Sequence, residues 1–141
     1  TDINKRNLFV VKINWENKLL VQGQELDIKQ LRAKAKEFIA NPEEKADMPK
    51  LYEEDFGQPF GTLKYTKEHV ISVQNDMETQ YQAYLDVQNE LVAAYNELRE
   101  ECAQKYFHKS YNELDEEWQK KISKIYPQKI SEAEPKNYGG K

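Results

Sequence analysis

The chain has 141 residues, of which 38% are hydrophobic and 33% charged, and its 21 basic and 25 acidic side chains give a net charge of -4. A chain of this length suffices for one domain that buries roughly two thirds of its unfolded surface. Lys and Glu are mixed along the predicted helix faces, and Lys and Arg do not cluster into the basic footprint that phosphate contacts require. We therefore expect no nucleic-acid partner.

Cysteine content and hydropathy leave the cellular compartment open. Cys102 is the single cysteine, which excludes an internal disulfide and a cysteine-rich zinc site, and we expect a packed, unreactive thiol. No apolar run approaches the roughly 18 residues that cross a bilayer, and no signal-peptide pattern precedes Asn7. Because the chain begins at Thr1 without methionine, we expect a segment excised from a longer protein that can include a membrane anchor.

The N-terminal part predicts a hairpin followed by a helix. Strands are predicted over Leu8 to Asn14 and Leu19 to Gln22, with the turn at Trp15-Glu16-Asn17. Asp27 is a helix N-cap, and the helix should end before Asn41-Pro42, since a residue preceding proline disfavours the α conformation. The apolar positions of this helix recur at three- and four-residue steps: Ile28, Leu31, Ala35, Phe38 and Ile39.

Residues 42–66 have the composition of a loop or insertion, with three of the five prolines and two of the five glycines. Aromatic side chains in this range indicate either a segment that covers the sheet or a helix, or a recognition loop. Gly61 to Tyr65 is compatible with a short edge strand. The aromatic residues in question are Tyr52, Phe56, Phe60 and Tyr65.

A second strand and helix follow. An apolar strand starts at Val70 and stops at Asn75-Asp76, whose side chains serve either as a turn and cap or as polar ligands. A long amphipathic helix then begins, and its tyrosines are either packing residues or an aromatic ligand-binding strip. The residues predicted on its packed face are Tyr81, Tyr84, Leu85, Val87, Leu91, Val92, Tyr95 and Leu98.

The C-terminal part predicts a third helix and a last strand. Residues 106–109 break the long helix, and either Ser110 with Glu113 or Asp115 caps the next one. Tyr126-Pro127 ends that helix, and Gln128 to Glu134 predicts a short strand at a sheet edge. The buried stripe of the third helix comprises Leu114, Trp118, Ile122 and Ile125.

The predicted fold class is α+β, with a mixed sheet of about four strands and helices mainly on one face. The order of elements is hairpin and helix, strand and helix, an extra helix, and a terminal strand. We expect one domain over residues 1–135, with insertions at about 42–66 and 102–127, and a flexible tail at 136–141.

No constellation of reactive residues is visible in the sequence. His69 and His108 are the two histidines, and neither stands at a metal-ligand spacing. Cys102 lacks a nucleophile signature, and no G-x-S-x-G or phosphate-binding loop occurs. Neighbouring carboxylates such as Glu116-Glu117 point about 100° apart on a helix. We therefore predict no catalytic residue, metal or cofactor, and a carboxylate-pair hydrolase is the weakest alternative.

Three blocks carry a family resemblance: VVKINWENKLLVQGQELDIKQLRAKAKEFI, VISVQNDMETQY and QKISEAEP. The first contains a hairpin, a glycine turn and a helix; the second places Asp76 after a strand and Tyr81 five positions later; the third is a terminal strand. In this order the blocks resemble the periplasmic domain of ExbD and TolR, small subunits of proton-driven inner-membrane motors. Residues 42–66 and 102–127 are longer than the usual family loops, so the chain resembles an enlarged variety.

The resemblance implies a domain on the periplasmic side of the inner membrane, held by one N-terminal transmembrane helix that lies outside this sequence. It implies a homodimer that works with an ExbB-like membrane subunit and a TonB-like energy transducer in outer-membrane uptake. The residue that handles protons belongs to the family's transmembrane helix, so no residue here is assigned to proton transfer. A TolR-like role in envelope maintenance and a free-standing periplasmic binding or adaptor domain are the alternatives.

Two strand edges are the predicted contact sites. The N-terminal segment that leads into the first strand is the candidate for partner binding by strand addition, with a simple tether as the alternative. The last strand is the candidate dimer contact, because an edge strand leaves backbone groups that a second copy can pair. The partner candidates are Asn4, Lys5, Arg6, Asn7, Leu8 and Phe9, and the dimer candidates are Lys129, Ile130 and Ser131.

Overall fold

A computed structural model describes residues 4–132 of the chain. Its elements are β1 (Leu8–Ile13), β2 (Leu19–Val21), β3 (Gln24–Glu25), α1 (Ile28–Ala40), β4 (Tyr52–Asp55), β5 (Thr62–Tyr65), β6 (Val70–Asn75), α2 (Tyr81–Phe107), α3 (Glu116–Ile125) and β7 (Ile130–Glu132). The main sheet has five strands in the order β3-β2-β1-β6-β7. The predicted α+β class with a mixed sheet is confirmed, and β3 is the strand beyond the expected four.

The centre of the sheet is a parallel pair. β1 pairs with β6 from Leu8 opposite Val70 to Ile13 opposite Asn75, whereas β2 joins β1 antiparallel. Alternate residues of β1 point to opposite faces of a pleated strand. Val11 and Ile13, 0% and 1% exposed, lie in the main core with residues of α1 and α2. The helices therefore cover one face, as predicted.

Helix α1 forms where the sequence predicted it. The Asp27 side chain accepts a hydrogen bond from the backbone N–H of Lys29 at 2.9 Å and so caps the first turn. Asn41 ends the helix in the left-handed conformation, with φ of 41°, which asparagine tolerates better than most residues. Four of the five predicted apolar positions are buried, namely Leu31, Ala35, Phe38 and Ile39.

Helix α2 packs against the sheet through Val87, Leu91, Tyr95 and Leu98. The prediction that Tyr81 belongs to this packed face is wrong, because its side chain is 73% exposed. The first turn of α2 follows the carboxyl end of β6, and residues of α2 reach the core cluster from Ala83 onward. Helical periodicity places Tyr81 in line with the core residues but does not say where the sheet beneath them ends.

The two predicted insertions form a second hydrophobic cluster. Phe56, Phe60 and Tyr65 pack with residues from the end of α2 and from α3, including Ile122, which is 0% exposed. The ring centroids of Phe60 and Trp118 lie 6.2 Å apart. Of the two alternatives for residues 42–66, the aromatic side chains thus fit a covering segment. They cover helices α2 and α3 and not the main sheet.

One expectation for the first insertion needs correction. Strand β5 exists, but it pairs antiparallel with β4 in a separate two-stranded sheet and is not an edge of the main sheet. The reason lies in the second cluster, because Tyr65 is 6% exposed there and stacks edge-on with Phe56 at 5.1 Å. Joining the main sheet would remove this aromatic strand from its packing partners.

Strand β7 lies at the edge of the main sheet, as predicted, and pairs parallel with β6. Of the two alternative caps for the third helix, Asp115 takes the N-cap position of α3, without a side-chain cap hydrogen bond, and Ser110 with Glu113 belongs to a separate turn before it. In that short 3₁₀ turn the backbone N–H of Ser110 donates to Glu113 Oε1 at 3.2 Å. The predicted tail at 136–141 lies outside the described residues, as do positions 133 and 134 of the predicted last strand.

Candidate functional site

The segment predicted to bind a partner is folded against the rest of the domain. Lys5, Arg6 and Asn7 form a 3₁₀ turn, and the side chain of Asn4 caps this turn. Arg6 Nε donates to the Met48 carbonyl at 2.7 Å, and Asn7 Oδ1 accepts from the Lys50 N–H at 3.0 Å. These bonds attach the segment to the 42–51 loop.

The last two partner candidates belong to β1 itself. Leu8 is half-buried, whereas Phe9 is 5% exposed and its ring lies 4.9 Å from that of Phe38. The segment from Asn4 to Phe9 is therefore not a free extended strand. If it serves as a grip, the accessible part is the edge of β1 rather than the residues before it.

The edge of β1 next to β2 has an unusual occupant. β2 pairs with β1 only from Val11 to Ile13, because the chain reverses after Val21. The reversal is a two-residue turn in which Gln22 and Gly23 have φ values of 51° and 82°, the positive angles that a type I′ hairpin turn requires. Beyond this turn, the first part of β1 is paired with β6 on one side, and on the β2 side no strand of the described residues lies beside it.

The side chain of Gln22 takes the place of that strand. Its Oε1 accepts from the Val10 N–H at 2.9 Å, and its Nε2 donates to the Leu8 carbonyl at 3.0 Å. The Gln22 backbone N–H donates to the Val10 carbonyl at 3.0 Å. One side-chain amide thus pairs the backbone groups that an added strand would use.

A groove of about 460 Å³ lies along this edge and the face of the sheet that the helices leave open. Leu8, Val10 and Leu20 form its apolar floor. Lys5 and Lys12 also line it, and no acidic residue does. The groove therefore offers an unfilled volume and an apolar surface directly beside a strand edge.

The predicted dimer contact is the other end of the sheet. Ile71 N–H bonds to the Lys129 carbonyl at 2.9 Å, and Ile130 lies opposite Ile71 in the parallel register. In a parallel ladder this pattern directs the N–H and C=O of Ile130 away from β6. Among residues 4–132 no strand pairs with that outer edge.

A buried polar chain connects β7 to the core. His69 is 0% exposed, with Nε2 at 2.8 Å from Tyr95 Oη and Nδ1 at 3.2 Å from Thr66 Oγ1. Thr66 Oγ1 donates to the Ile39 carbonyl at 2.6 Å, so it accepts from Nδ1–H, and Nε2 of the neutral ring accepts from Tyr95. Tyr95 Oη in turn accepts from the Lys129 N–H at 3.2 Å.

The buried ionisable groups have the shifts expected of structural residues. Burial first, and the charge of Lys129 second, lower the pKa of His69 to about 4. Burial raises the pKa of Tyr95 to about 12 and that of the Cys102 thiol to about 11. At neutral pH the histidine is therefore uncharged and the cysteine is a thiol, which is the weakly nucleophilic form.

Ion pairs join α1 to α2 on the outer surface. Arg32 contacts Glu90 at 3.0 Å, and Lys36 contacts Glu97 at 3.1 Å and Glu101 at 2.6 Å. The hydrogen bond from Arg32 is the first cause that lowers the pKa of Glu97. These charges are half-exposed and mutually paired, which is typical of a solvated helix interface.

Asp76 and its neighbours form a turn, which is one of the two alternatives for this position. Asp76 is 0% exposed, and its Oδ1 accepts from the Glu78 N–H at 2.9 Å. Within the described residues no group of three His, Cys, Asp or Glu side chains is arranged to hold a metal ion. The same residues contain no helix that is both long and apolar enough to cross a membrane.

Sequence reasoning did not find Gln22. The signal that exists is local, since Gln22-Gly23 sits between two short β-runs where a two-residue hairpin turn fits. That the amide of Gln22 reaches β1 depends on where β2 ends relative to β1, and sequence pattern does not fix this. Of the tyrosines in the long helix, Tyr95 is a packing residue because it is buried in the core, whereas exposed Tyr81 stacks on Tyr84 with ring centroids 6.3 Å apart.

The described residues thus define a small α+β domain whose candidate sites are the edges of a sheet and the groove beside one of them. A family model described as biopolymer transport protein ExbD/TolR matches residues 2–99, and the chain belongs to this family. The match contains the first two blocks of the resemblance and ends before QKISEAEP. A search of curated proteins finds no match.

Family membership supports a subunit of a biopolymer transport motor but does not separate ExbD from TolR. The family is anchored in the inner membrane with a periplasmic domain, and it works with membrane partner complexes. It is associated with transport and not with a known enzymatic activity. The match covers β1, α1 and β6 completely and α2 as far as Arg99, and these elements supply most of the main core.

Proposed function

We propose that this chain is the periplasmic domain of an ExbD-like subunit of an inner-membrane motor, driven by the proton-motive force, that energises TonB-dependent outer-membrane transport. The observation that carries the proposal is the family match over residues 2–99. The accessible sheet edges support it, because a motor subunit must hold protein partners, and an open strand edge is a common means of doing so. The domain acts by binding and not by catalysis.

A strain of the source organism from which this gene has been deleted tests the proposal, through its nutrient uptake and its sensitivity to detergent. In an ExbD-like case, energised uptake of iron complexes, vitamins or glycans is lost while the outer membrane stays intact to detergent. In a TolR-like case, detergent sensitivity appears while uptake persists. The full-length gene must restore the affected trait, and a strain with neither defect would contradict both roles.

We further propose that the full-length protein is a homodimer, held beside an ExbB-like subunit by an N-terminal transmembrane helix outside this sequence. The outer edge of β7, with Lys129, Ile130 and Ser131, is the proposed contact between the copies. The outward N–H and C=O of Ile130 support this choice. The isolated domain should associate only weakly, since the anchor normally raises the local concentration.

Two proline substitutions separate an interface effect from damage to the sheet. Ile130→Pro removes an outward N–H together with some packing of the Ile130 side chain on the main core, and it should abolish association in sedimentation at high concentration while the sheet still forms. Ser131→Pro removes an N–H that the register directs to β6 and should reduce stability as well. Association that survives Ile130→Pro would exclude this edge as the dimer contact.

The partner proposal concerns the segment from Asn4 to Phe9 at the start of β1. We propose that a segment of the TonB-like energy transducer pairs with this edge, which lies between the membrane anchor and the domain. The groove beside Leu8 and Val10 supports the location. Because Asn4 to Asn7 form a 3₁₀ turn, pairing along the whole segment would require that turn to open.

A further inference from the structure

The amide of Gln22 has the hydrogen-bonding chemistry of a peptide group. It presents one acceptor to Val10 and one donor to Leu8, at 2.9 and 3.0 Å. The backbone groups that it satisfies would otherwise be an open strand edge, which is a template for another chain. What fits this edge is therefore an extended polypeptide backbone.

We infer that the edge of β1 between Leu8 and Val10 is a binding site for an extended peptide segment, and that Gln22 occupies this site in the free domain. The inference rests on the proposed function only in taking the periplasmic linker of the energy transducer as the natural ligand. A peptide binds by displacing the Gln22 amide from β1. Because Gln22 is exposed, its side chain can then turn into solvent.

The orientation of the ligand follows from the two freed groups. One residue that donates its N–H to the Leu8 carbonyl and accepts from the Val10 N–H with its own C=O satisfies both. This is the pattern of a parallel ladder with the ligand residue opposite Phe9. The Leu8 N–H already bonds to the Lys5 carbonyl, and the Val10 carbonyl to the Gln22 N–H, so the added strand is short.

The groove defines the side chains that the ligand should carry. Its floor of Leu8, Val10 and Leu20 fits an apolar residue on the side that faces the domain. The charged residues that line the groove are lysines, among them exposed Lys5, which favours an acidic residue in the ligand. The expected ligand is an extended segment in which an apolar residue has an acidic neighbour.

A substitution at Gln22 isolates the displacement step. Gln22→Asn keeps an amide and favours the positive φ of this turn, since Asn-Gly is the preferred type I′ pair, but the shorter side chain cannot reach β1. The variant should keep its fold and lose protection of the Val10 N–H in amide exchange by about tenfold. Gln30→Ala, an exposed change on α1 outside the groove, is the matched control.

The test measures peptide affinity by fluorescence anisotropy with two probes. One is a set of peptides that tile the linker of the TonB-like protein from the same genome. The other is a designed peptide of alternating valine and glutamate, with an N-methylated copy that lacks the pairing N–H groups. Gln22→Asn should bind the pairing-competent peptides about tenfold more tightly than the unaltered domain, and Gln30→Ala should not differ from it.

The outcomes separate the inference from the proposed function. The inference holds if the designed peptide binds more tightly to Gln22→Asn than to the unaltered domain and its N-methylated copy does not bind. This is so even if no linker peptide binds, in which case the proposed partner is wrong. If linker peptides bind equally well to Gln22→Asn and the unaltered domain, the inference is overturned while the proposed function stands. Failure of both probes on both proteins overturns the inference.

Discussion

Protonation of His69 should destabilise the domain in a pH range where few other groups titrate. The folded state lowers the pKa of His69 from 6.5 to about 4, because the ring is buried and lies near the charge of Lys129, against a smaller opposing effect of the Pro127 backbone. Below pH 6.5 the unfolded chain therefore binds more protons than the folded one. The free energy of unfolding falls as the pH decreases from 6.5 to about 4 and levels off below that.

The magnitude follows from the two pKa values. The full difference corresponds to about 3 kcal/mol, and the part lost between pH 7.5 and pH 5 is about 2 kcal/mol. This upper part of the range matters most, because carboxylates contribute chiefly below pH 5. Burial of the charged ring is the main source of this cost. In addition, Nε2 of a protonated ring can no longer accept from Tyr95, whose hydroxyl hydrogen would lose its buried partner.

Urea denaturation at several pH values between 7.5 and 5 measures this effect. His69→Gln should be less stable at pH 7.5 but should lack the histidine-dependent slope. His108→Gln, at an exposed position, should keep the slope of the unaltered domain. Equal stability of the unaltered domain at pH 7.5 and pH 5, or an unchanged slope in His69→Gln, would refute the reasoning.

Four further substitutions, of which Val92→Ala is a comparison, test the two cores by urea denaturation. Leu91→Ala should lower the free energy of unfolding by about 2 to 5 kcal/mol, because the side chain is 0% exposed. Val92→Ala, at a half-buried position, should lower it less. A loss below about half a kcal/mol at Leu91 would mean that this face of α2 is not part of the core. Tyr95→Phe should cost about 1 to 3 kcal/mol and shift the ring resonances of His69, and unmoved resonances would contradict the hydrogen bond. Ile122→Ala should cost about 2 to 5 kcal/mol, and a neutral result would show that the second cluster does not contribute to stability.

The elements that sequence analysis predicted well are those with a local signal. Asp27 before an apolar periodic run and Asn41 before proline define both ends of α1 without reference to the rest of the chain. The same holds for the alternation in β1 and the edge position of a short strand after Tyr126-Pro127. Each of these rests on a few neighbouring residues.

The misplaced features depend on contacts between distant segments. Residues Gly61 to Tyr65 have the pattern of a strand, but which strand they pair with is decided by aromatic packing against α2 and α3. Tyr81 fits the helical period and still lies beyond the core. The sequence at Gln22-Gly23 indicates only a turn, because the contact of the Gln22 amide with β1 arises where β2 stops short of the start of β1.

The most direct test of the coupling account is an amide shift map of the labelled domain with the periplasmic linker of its TonB-like protein, alongside the corresponding segment of a TolA-like protein as comparison. The account predicts that the TonB-like linker shifts the amides of Leu8, Phe9 and Val10 and that of Gln22, and that the TolA-like segment leaves them unmoved. Shifts confined to the helices would contradict the account. So would a result in which the TolA-like segment shifts these four amides and the TonB-like linker does not.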